Sequence, residues 1–196
     1  MFANRYTAFV DACSLADALR RDFLLSLADA EFFRLRWSER VLQETEAAIL
    51  KMLSDRGFED AKARAARSCA AMQVAFPEAM IADYEDFEGT GKDLPDPNDV
   101  HVLAAALKAQ SQTIVTENLR DFPSAVLYPL NMEARSSDDF IADTIALDTG
   151  RAIKAVRRMR QRLKQPEKSS DKFLRDCEAR GLLSTAAQLK PFIESI

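Results

Sequence analysis

One histidine and three cysteines are all that this 196-residue sequence offers in soft metal ligands. A single imidazole, His101, excludes multi-histidine metal centres, and it confines any Ser/His/Asp triad to its own surroundings. Cys13, Cys69 and Cys177 are scattered and form no CxxC pair, which argues against a thiolate zinc site. They read as reduced, mostly buried small residues. Any metal must then be held by oxygen, and oxygen donors point to Mg²⁺ or Mn²⁺ rather than zinc. Long apolar runs are also missing, so no stretch is expected to span a bilayer. The start, MFANRYTAFVDACSL, has no basic segment leading into an apolar run, and no export signal is expected there. A cytoplasmic protein that does not engage membranes is the resulting expectation.

What is present is an ordinary globular composition, 47% hydrophobic and 30% charged. It suits one domain with an appendage and a sizeable core. The formal net charge of −4 hides an asymmetry. Residues 151–196 carry 12 Lys+Arg against 5 Asp+Glu, while the preceding 150 carry 15 against 26. An acidic body with a basic tail suggests a polyanion or an acidic partner near the tail.

Hydrophobic periodicity gives the element order. Ala8–Val10 reads as a buried strand ended by Asp11. Residues 15–32 carry Leu15, Leu19, Phe23 and Leu27 four apart, the spacing of one helix. FFRLRW, residues 32–37, alternates as a strand. Ser38 is positioned to cap a helix from Glu39 to Leu53, with Val41, Leu42, Thr45, Ala48, Ile49 and Met52 inward. Residues 59–76 form an alanine-rich helix stopped by Pro77. Residues 80–99 open strand-like and turn into an acidic loop. A helix over 97–110 starts with Pro97 in its first turn. Thr113–Thr116 is a strand, VLYPLNMEA offers short strand pieces, and Ser137 can cap a helix running from Asp138 to Lys164 with a break near Gly150. QPEKSS reads as a linker before short helices at 170–182 and 185–195. Strand and helix alternate up to residue 135, which implies a three-layer α/β/α sandwich on a parallel sheet. The expected division is an α/β domain at 1–140 and an all-helical extension at 141–196.

In such a sheet, sites lie beyond the carboxyl ends of the strands. Asp11, the Glu117-Asn118-Asp121 segment and the pair Asp96 and Asp99 all fall there, and the helix from Glu39 adds Glu44 and Glu46. Carboxylates that converge repel one another, and a divalent cation removes that penalty. Magnesium held by a few carboxylates would polarise a phosphate and lower the pKa of a bound water, which could attack phosphorus with no nucleophilic side chain. Plainer readings exist. Asp96-Pro97-Asn98-Asp99 is a sound helix start by itself. Periodicity cannot choose between Glu44 and Glu46, Asp121 before Phe122-Pro123 fits a turn, His101 and Trp37 read as packing residues, and the arginines at 157–162 fit a solvated face. Asp11 is harder to dismiss, because a carboxylate ending a buried strand is costly to desolvate without a partner.

FVDACSL, WSERVLQETEAAIL, LPDPNDVHVLAAAL and TIVTENLRDFP, in this order, resemble the motifs of the PIN-domain family of metal-dependent ribonucleases. More narrowly, they resemble the VapC-type toxins of bacterial toxin–antitoxin modules. The resemblance covers residues 6 to about 140. It implies catalytic carboxylates at Asp11, Glu44, Asp99 and Asp121, with Asp11, Asp99 and Asp121 holding Mg²⁺ or Mn²⁺. Asp96, Thr116 and Asn118 would support them, and Asn118 and Asp121 divide the family's fourth position, with Asp121 favoured. Cys13 departs from the asparagine often found there. The family implies endonucleolytic cleavage of RNA, a homodimer and an antitoxin partner. The rival expectations are a catalytically silent interaction protein on the same fold, and a nuclease acting on DNA or in ribosomal RNA maturation. The helical tail is similar to the extension of longer bacterial PIN proteins. Within it Arg151, Lys154, Arg158 and Arg162 share one helix face, which is expected to grip RNA phosphates near the acidic site.

Overall fold

The computed structural model describes residues 6–163 and 168–196. Five parallel strands form its centre: β1 (Thr7–Val10), β2 (Arg34–Ser38), β3 (Met80–Ile81), β4 (Thr113–Val115) and β5 (Glu133–Arg135), in spatial order β3-β2-β1-β4-β5. Phe9 lies opposite Arg36 on one side and Ile114 on the other. Every residue of β1 is buried, as a central parallel strand covered on both faces requires. The connections hold α1 (Ala12–Ala16), α2 (Ala18–Asp29), α3 (Glu39–Asp55), α4 (Ala61–Ala75), α5 (Val100–Lys108) and α6 (Ser124–Leu127). After the last strand come α7 (Ser137–Leu147), α8 (Thr149–Arg162), α9 (Ser170–Ala179) and α10 (Leu183–Leu189). This is the expected α/β sandwich on a parallel sheet, followed by an all-helical extension. Among the described residues no helix is long and apolar enough to cross a membrane.

From β1 the chain builds outward to β2 and β3, then returns past β1 to lay down β4 and β5. The order therefore reverses between β1 and β4, and their carboxyl ends frame the crevice where open α/β sheets place their sites.

The extension shares the main core. Phe23 of α2 packs on Phe173 of α9 with ring centroids 5.6 Å apart, and both rings are fully buried. Burying each is worth roughly 1.5–3 kcal/mol. Trp37 is fully buried too, edge-on to Phe76. A polar clamp adds to this: the Asp138 carboxylate of α7 accepts the N–H groups of Ser184 and Thr185, both at 2.8 Å, at the start of α10.

Side-chain caps divide what periodicity joins. The single helix expected over 15–32 is two, because Asp17 takes an extended conformation and its Oδ1 accepts the N–H groups of Leu19 and Arg20 at 3.0 Å. The helix after residue 137 breaks likewise at Asp148, whose Oδ1 accepts the Arg151 N–H at 3.0 Å. Its first cap is Ser136 rather than Ser137. The strand pieces expected in VLYPLNMEA shrink to β5. The preceding residues form α6 and a 3₁₀ turn at Tyr128–Leu130, closed by Asn131 in the left-handed conformation (φ 54°). The acidic loop contains a 3₁₀ segment at Glu85–Asp93. Of the expected linker QPEKSS, residues 165–167 lie outside the described residues.

Candidate active site

Asp11 follows the last residue of β1 and is 5% exposed. Its backbone N–H continues the ladder to Val115 O at 3.0 Å, so its side chain is delivered to the β1–β4 crevice. Both oxygens of the carboxylate accept hydrogen bonds. Oδ1 accepts the Ala12 N–H at 2.7 Å and caps α1; Oδ2 accepts the Thr116 hydroxyl at 2.8 Å and the Cys13 thiol at 3.1 Å. These donors offset the desolvation of a buried charge. Thr116 Oγ1 also accepts the Asn118 N–H at 3.0 Å, which folds the chain after β4 back over β1. Cys13 accepts the Glu117 N–H at 3.2 Å. Burial first, and the Asp11 charge second, push its thiol up to about 12, so it stays protonated and acts as a donor.

The pair Asp96 and Asp99 divides its labour. Asp96 Oδ1 accepts the Asn98 N–H at 2.9 Å and caps the 3₁₀ turn Pro97–Asp99, with Pro97 at its first position. Asp99 stands at the cap position of α5 and, among the described residues, makes no capping bond with its side chain. Its carboxyl is pushed up to about 6 by burial, then by the negative charges of Asp11, Asp121 and Asp96, against a small opposing pull from His101. Residues from three distant parts of the chain thus stand within electrostatic reach of one carboxyl. Asp121 ends the 3₁₀ turn Leu119–Asp121 after β4.

Glu44 lies on α3, half-buried, with Oε1 3.1 Å from His101 Nε2 and 3.2 Å from Arg40 Nε. Burial raises its carboxyl, but the hydrogen bonds and charges of His101 and Arg40 outweigh that and leave it below the ordinary value. His101 is 2% exposed, in the first turn of α5. Sequence reasoning assigned His101 to packing alone. The signal that could have found its role is its place two residues after Asp99, in the first turn of the helix that Asp99 precedes.

The basic face of α8 is placed differently from expectation. Arg151 stacks over the Phe32 ring at 4.1 Å and lies 3.7 Å from Asp148. Phe32 precedes β2, so Arg151 sits at the amino edge of the sheet, opposite Asp11. Arg162 donates to Ser26 Oγ at 3.0 Å on α2, while Lys154 and Arg158 are exposed. Periodicity specifies that these residues share a face; it carries no information about which edge of the sheet the face reaches. Nearer Asp11, sequence reasoning missed Arg20, which lies 3.5 Å from Glu117 and donates to Arg180 O, and Arg180, which pairs with Asp17.

Among the described residues no three His, Cys, Asp or Glu side chains are gathered into a ready-made metal cage. The donor chemistry of Asp11, Asp99 and Asp121 is all carboxylate oxygen, and a cation beside Asp99 would offset the part of its raised carboxyl that comes, after burial, from its acidic neighbours. Mg²⁺ suits such a set, because it commonly takes one or two carboxylates and fills its octahedron with water and substrate phosphate.

Residues 7–120 match the family model described as "PIN domain", and residues 137–191 match that described as "VapC50 C-terminal domain". A Mycobacterium tuberculosis protein described as "Putative ribonuclease VapC50" is 45% identical over 49 residues, 25% of this chain and 29% of that relative. The alignment thus spans less than a third of the relative's length. No solved structure matches the chain.

Proposed function

The chain belongs to the PIN-domain family, of the VapC type with a helical C-terminal extension, and on that premise we propose that it is a Mg²⁺- or Mn²⁺-dependent endoribonuclease and the toxin of a type II toxin–antitoxin module. The observation that carries the reading is the crevice between β1 and β4, where Asp11 ends β1 with its carboxylate fixed by Ala12 and Thr116 and Asp121 follows β4; the Asp99 carboxyl is raised there by burial first and by the charges of Asp11 and Asp121 second. Mutual repulsion of this kind is a cost in the free protein, and it is relieved when a cation joins the group.

Asp11, Asp99 and Asp121 would hold the ion, which when bound supplies charge to the scissile phosphate and acidifies water at neutral pH. The chain's own residues do the rest. Thr116 and the Ala12 N–H fix the direction of the Asp11 carboxylate. Cys13 stays protonated and donates to the same oxygen as Thr116. Glu44 is kept ionised by His101 and Arg40, so its carboxylate would be available to accept a hydrogen bond from the attacking water. The substrate is RNA in the cytoplasm, and the partner is an antitoxin protein that blocks the site.

The test is cleavage of a labelled single-stranded RNA by the purified full chain. RNA is cut internally with Mg²⁺ or Mn²⁺, cutting stops with a chelator, and single-stranded DNA of the same sequence survives. Intact RNA under all metal conditions favours the silent interaction protein, and equal cutting of DNA removes the ribonuclease assignment.

A further inference from the structure

A groove of about 470 Å³ opens where α1 meets α2, bounded by α3, α4 and the end of α9. Its floor includes Ala16, Ile49, Met52 and Leu53. Ala16 and Ile49 pack with Ala65 in a small apolar cluster separate from the main core. The cations that line it are Arg21, Arg56, Arg64, Arg67 and Arg180, and the acid that lines it is Asp17. All five are arginines. The guanidinium fork matches phosphate oxygens two at a time and is weakly hydrated, which a lysine ammonium does not reproduce.

Local structure explains how they assemble. α3 and α9 both end in a glycine with left-handed backbone, Gly57 (φ 76°) and Gly181 (φ 77°). In each case the chain closes with bonds back to the last turn: Phe58 N–H to Leu53 O at 3.1 Å, and Leu182 N–H to Cys177 O at 2.9 Å. This ending turns the residue before the glycine, Arg56 or Arg180, out at the helix tip. Arg64 and Arg67 stand three apart on α4, both near Asp60. Arg21 donates to Leu15 O at 2.7 Å and Ala16 O at 3.3 Å, the carbonyl end of α1. Against five arginines, Asp17, Asp60 and Asp22, which stands within electrostatic reach of Arg21, leave a smaller positive excess, set in a body whose first 150 residues carry 26 acidic against 15 basic groups.

Helix α1 links the groove to Asp11, with its last residue, Ala16, in the groove lining. That helix begins on the Asp11 cap and ends at Asp17, six residues on, or roughly 9 Å at helical rise. We infer that this arginine-lined groove binds the phosphate backbone of single-stranded RNA beside the cleavage site, with sugars and bases over the Ile49–Met52–Leu53 floor. The inference rests on the nuclease reading and deepens it. Arg180 makes the helical extension part of the RNA-binding surface, a role that the α8 face was expected to fill. A strongly acidic site needs such a neighbour, because without it the substrate would be repelled.

The experiment uses the full chain in chelator, where RNA is bound without being cut, and follows a fluorescent 20-nucleotide single-stranded RNA by anisotropy across salt. Arg56→Ala/Arg67→Ala removes two exposed cations. Two lost phosphate contacts lower the log–log salt slope by about 1.4, which is roughly a 25-fold loss of affinity at 0.1 M salt. Arg56→Lys/Arg67→Lys keeps the charge and restores most of the slope, which excludes misfolding as the cause. An unchanged slope in the alanine variant overturns the groove assignment. So does poly-glutamate displacing RNA at equal charge and losing its own binding in the variant, because the groove would then be a dock for an acidic protein. Wild-type cleavage measured beside these titrations keeps the two claims apart: failure to cut RNA removes the nuclease reading, while cutting with unaltered variant binding removes only the groove.

Discussion

His101 Nε2 lies 3.1 Å from Glu44 Oε1 and joins the first turn of α5 to α3. Among the described residues the other ring nitrogen, Nδ1, is buried without a partner, so the imidazole is not there to satisfy itself. His101→Phe keeps a planar ring, somewhat larger than imidazole, removes that orphan atom and releases Glu44, which is exposed enough to be rehydrated. The expected change in unfolding free energy is within about 1 kcal/mol. RNA cleavage falls at least tenfold, and the Glu44 carboxyl rises toward its ordinary value. Denaturant unfolding and cleavage rates measured on one preparation check both. Loss of stability without loss of cleavage would return His101 to a packing role.

Thr116 is the pivot between β1 and β4. Thr116→Val keeps the shape but removes the donor to Asp11 and the acceptor of the Asn118 N–H. Leaving buried groups unpaired costs about 1–3 kcal/mol, and cleavage drops with it. Cys13→Ser retains a donor at the same place, so most activity and stability survive. Urea unfolding midpoints and cleavage rates rank the two variants; equal behaviour would contradict the ordering.

Much of this was legible in the sequence, for identifiable reasons. The caps at Ser38 and Asp96 are stated by residue type and neighbours, and the structure uses both. β1 and β4 announce themselves as short apolar runs ended by polar residues. Asp17 and Asp148 were not legible as breaks, because a capping bond is a local competition that hydrophobic spacing ignores. The pairing of Glu44 with His101 joins residues 57 positions apart in sequence, and only the folded chain shows it. The arginine groove was illegible for the same reason: its members come from α2, two helix ends and one face of α4, with no common period.

The raised Asp99 carboxyl makes a prediction about pH. Its folded value, about 6, lies above the ordinary 3.8. Between these values the native state holds more proton than the unfolded chain, so this group favours folding fully below about pH 4 and loses that contribution as pH rises through 6. Metal-free protein is therefore less stable at pH 7 than at pH 5 through Asp99, and Asp99→Asn removes the difference while raising the melting temperature at pH 7. Mg²⁺ at pH 7 stabilises the wild type by binding the folded state, and much less so the variant. Thermal melts at the two pH values, with and without Mg²⁺, test it. A wild type that is indifferent to pH and Mg²⁺ would refute it.

The clamp at Asp138 ties α10 to α7. Asp138→Ala uncaps α10 at a cost of about 1–2 kcal/mol. Amide exchange should speed up over residues 183–189 first, while β1 and β4 keep their protection. Uniform acceleration through the sheet would mean that the extension and body unfold as one unit.

The most direct test of the whole reading is the rate of RNA cleavage in Mg²⁺ by Asp11→Asn and Asp99→Asn beside the wild type, with folding of each checked by its melt. Both variants are expected to fold and to cut at least a hundredfold more slowly. Wild-type rates from both would show that the acidic group between β1 and β4 does not carry the chemistry.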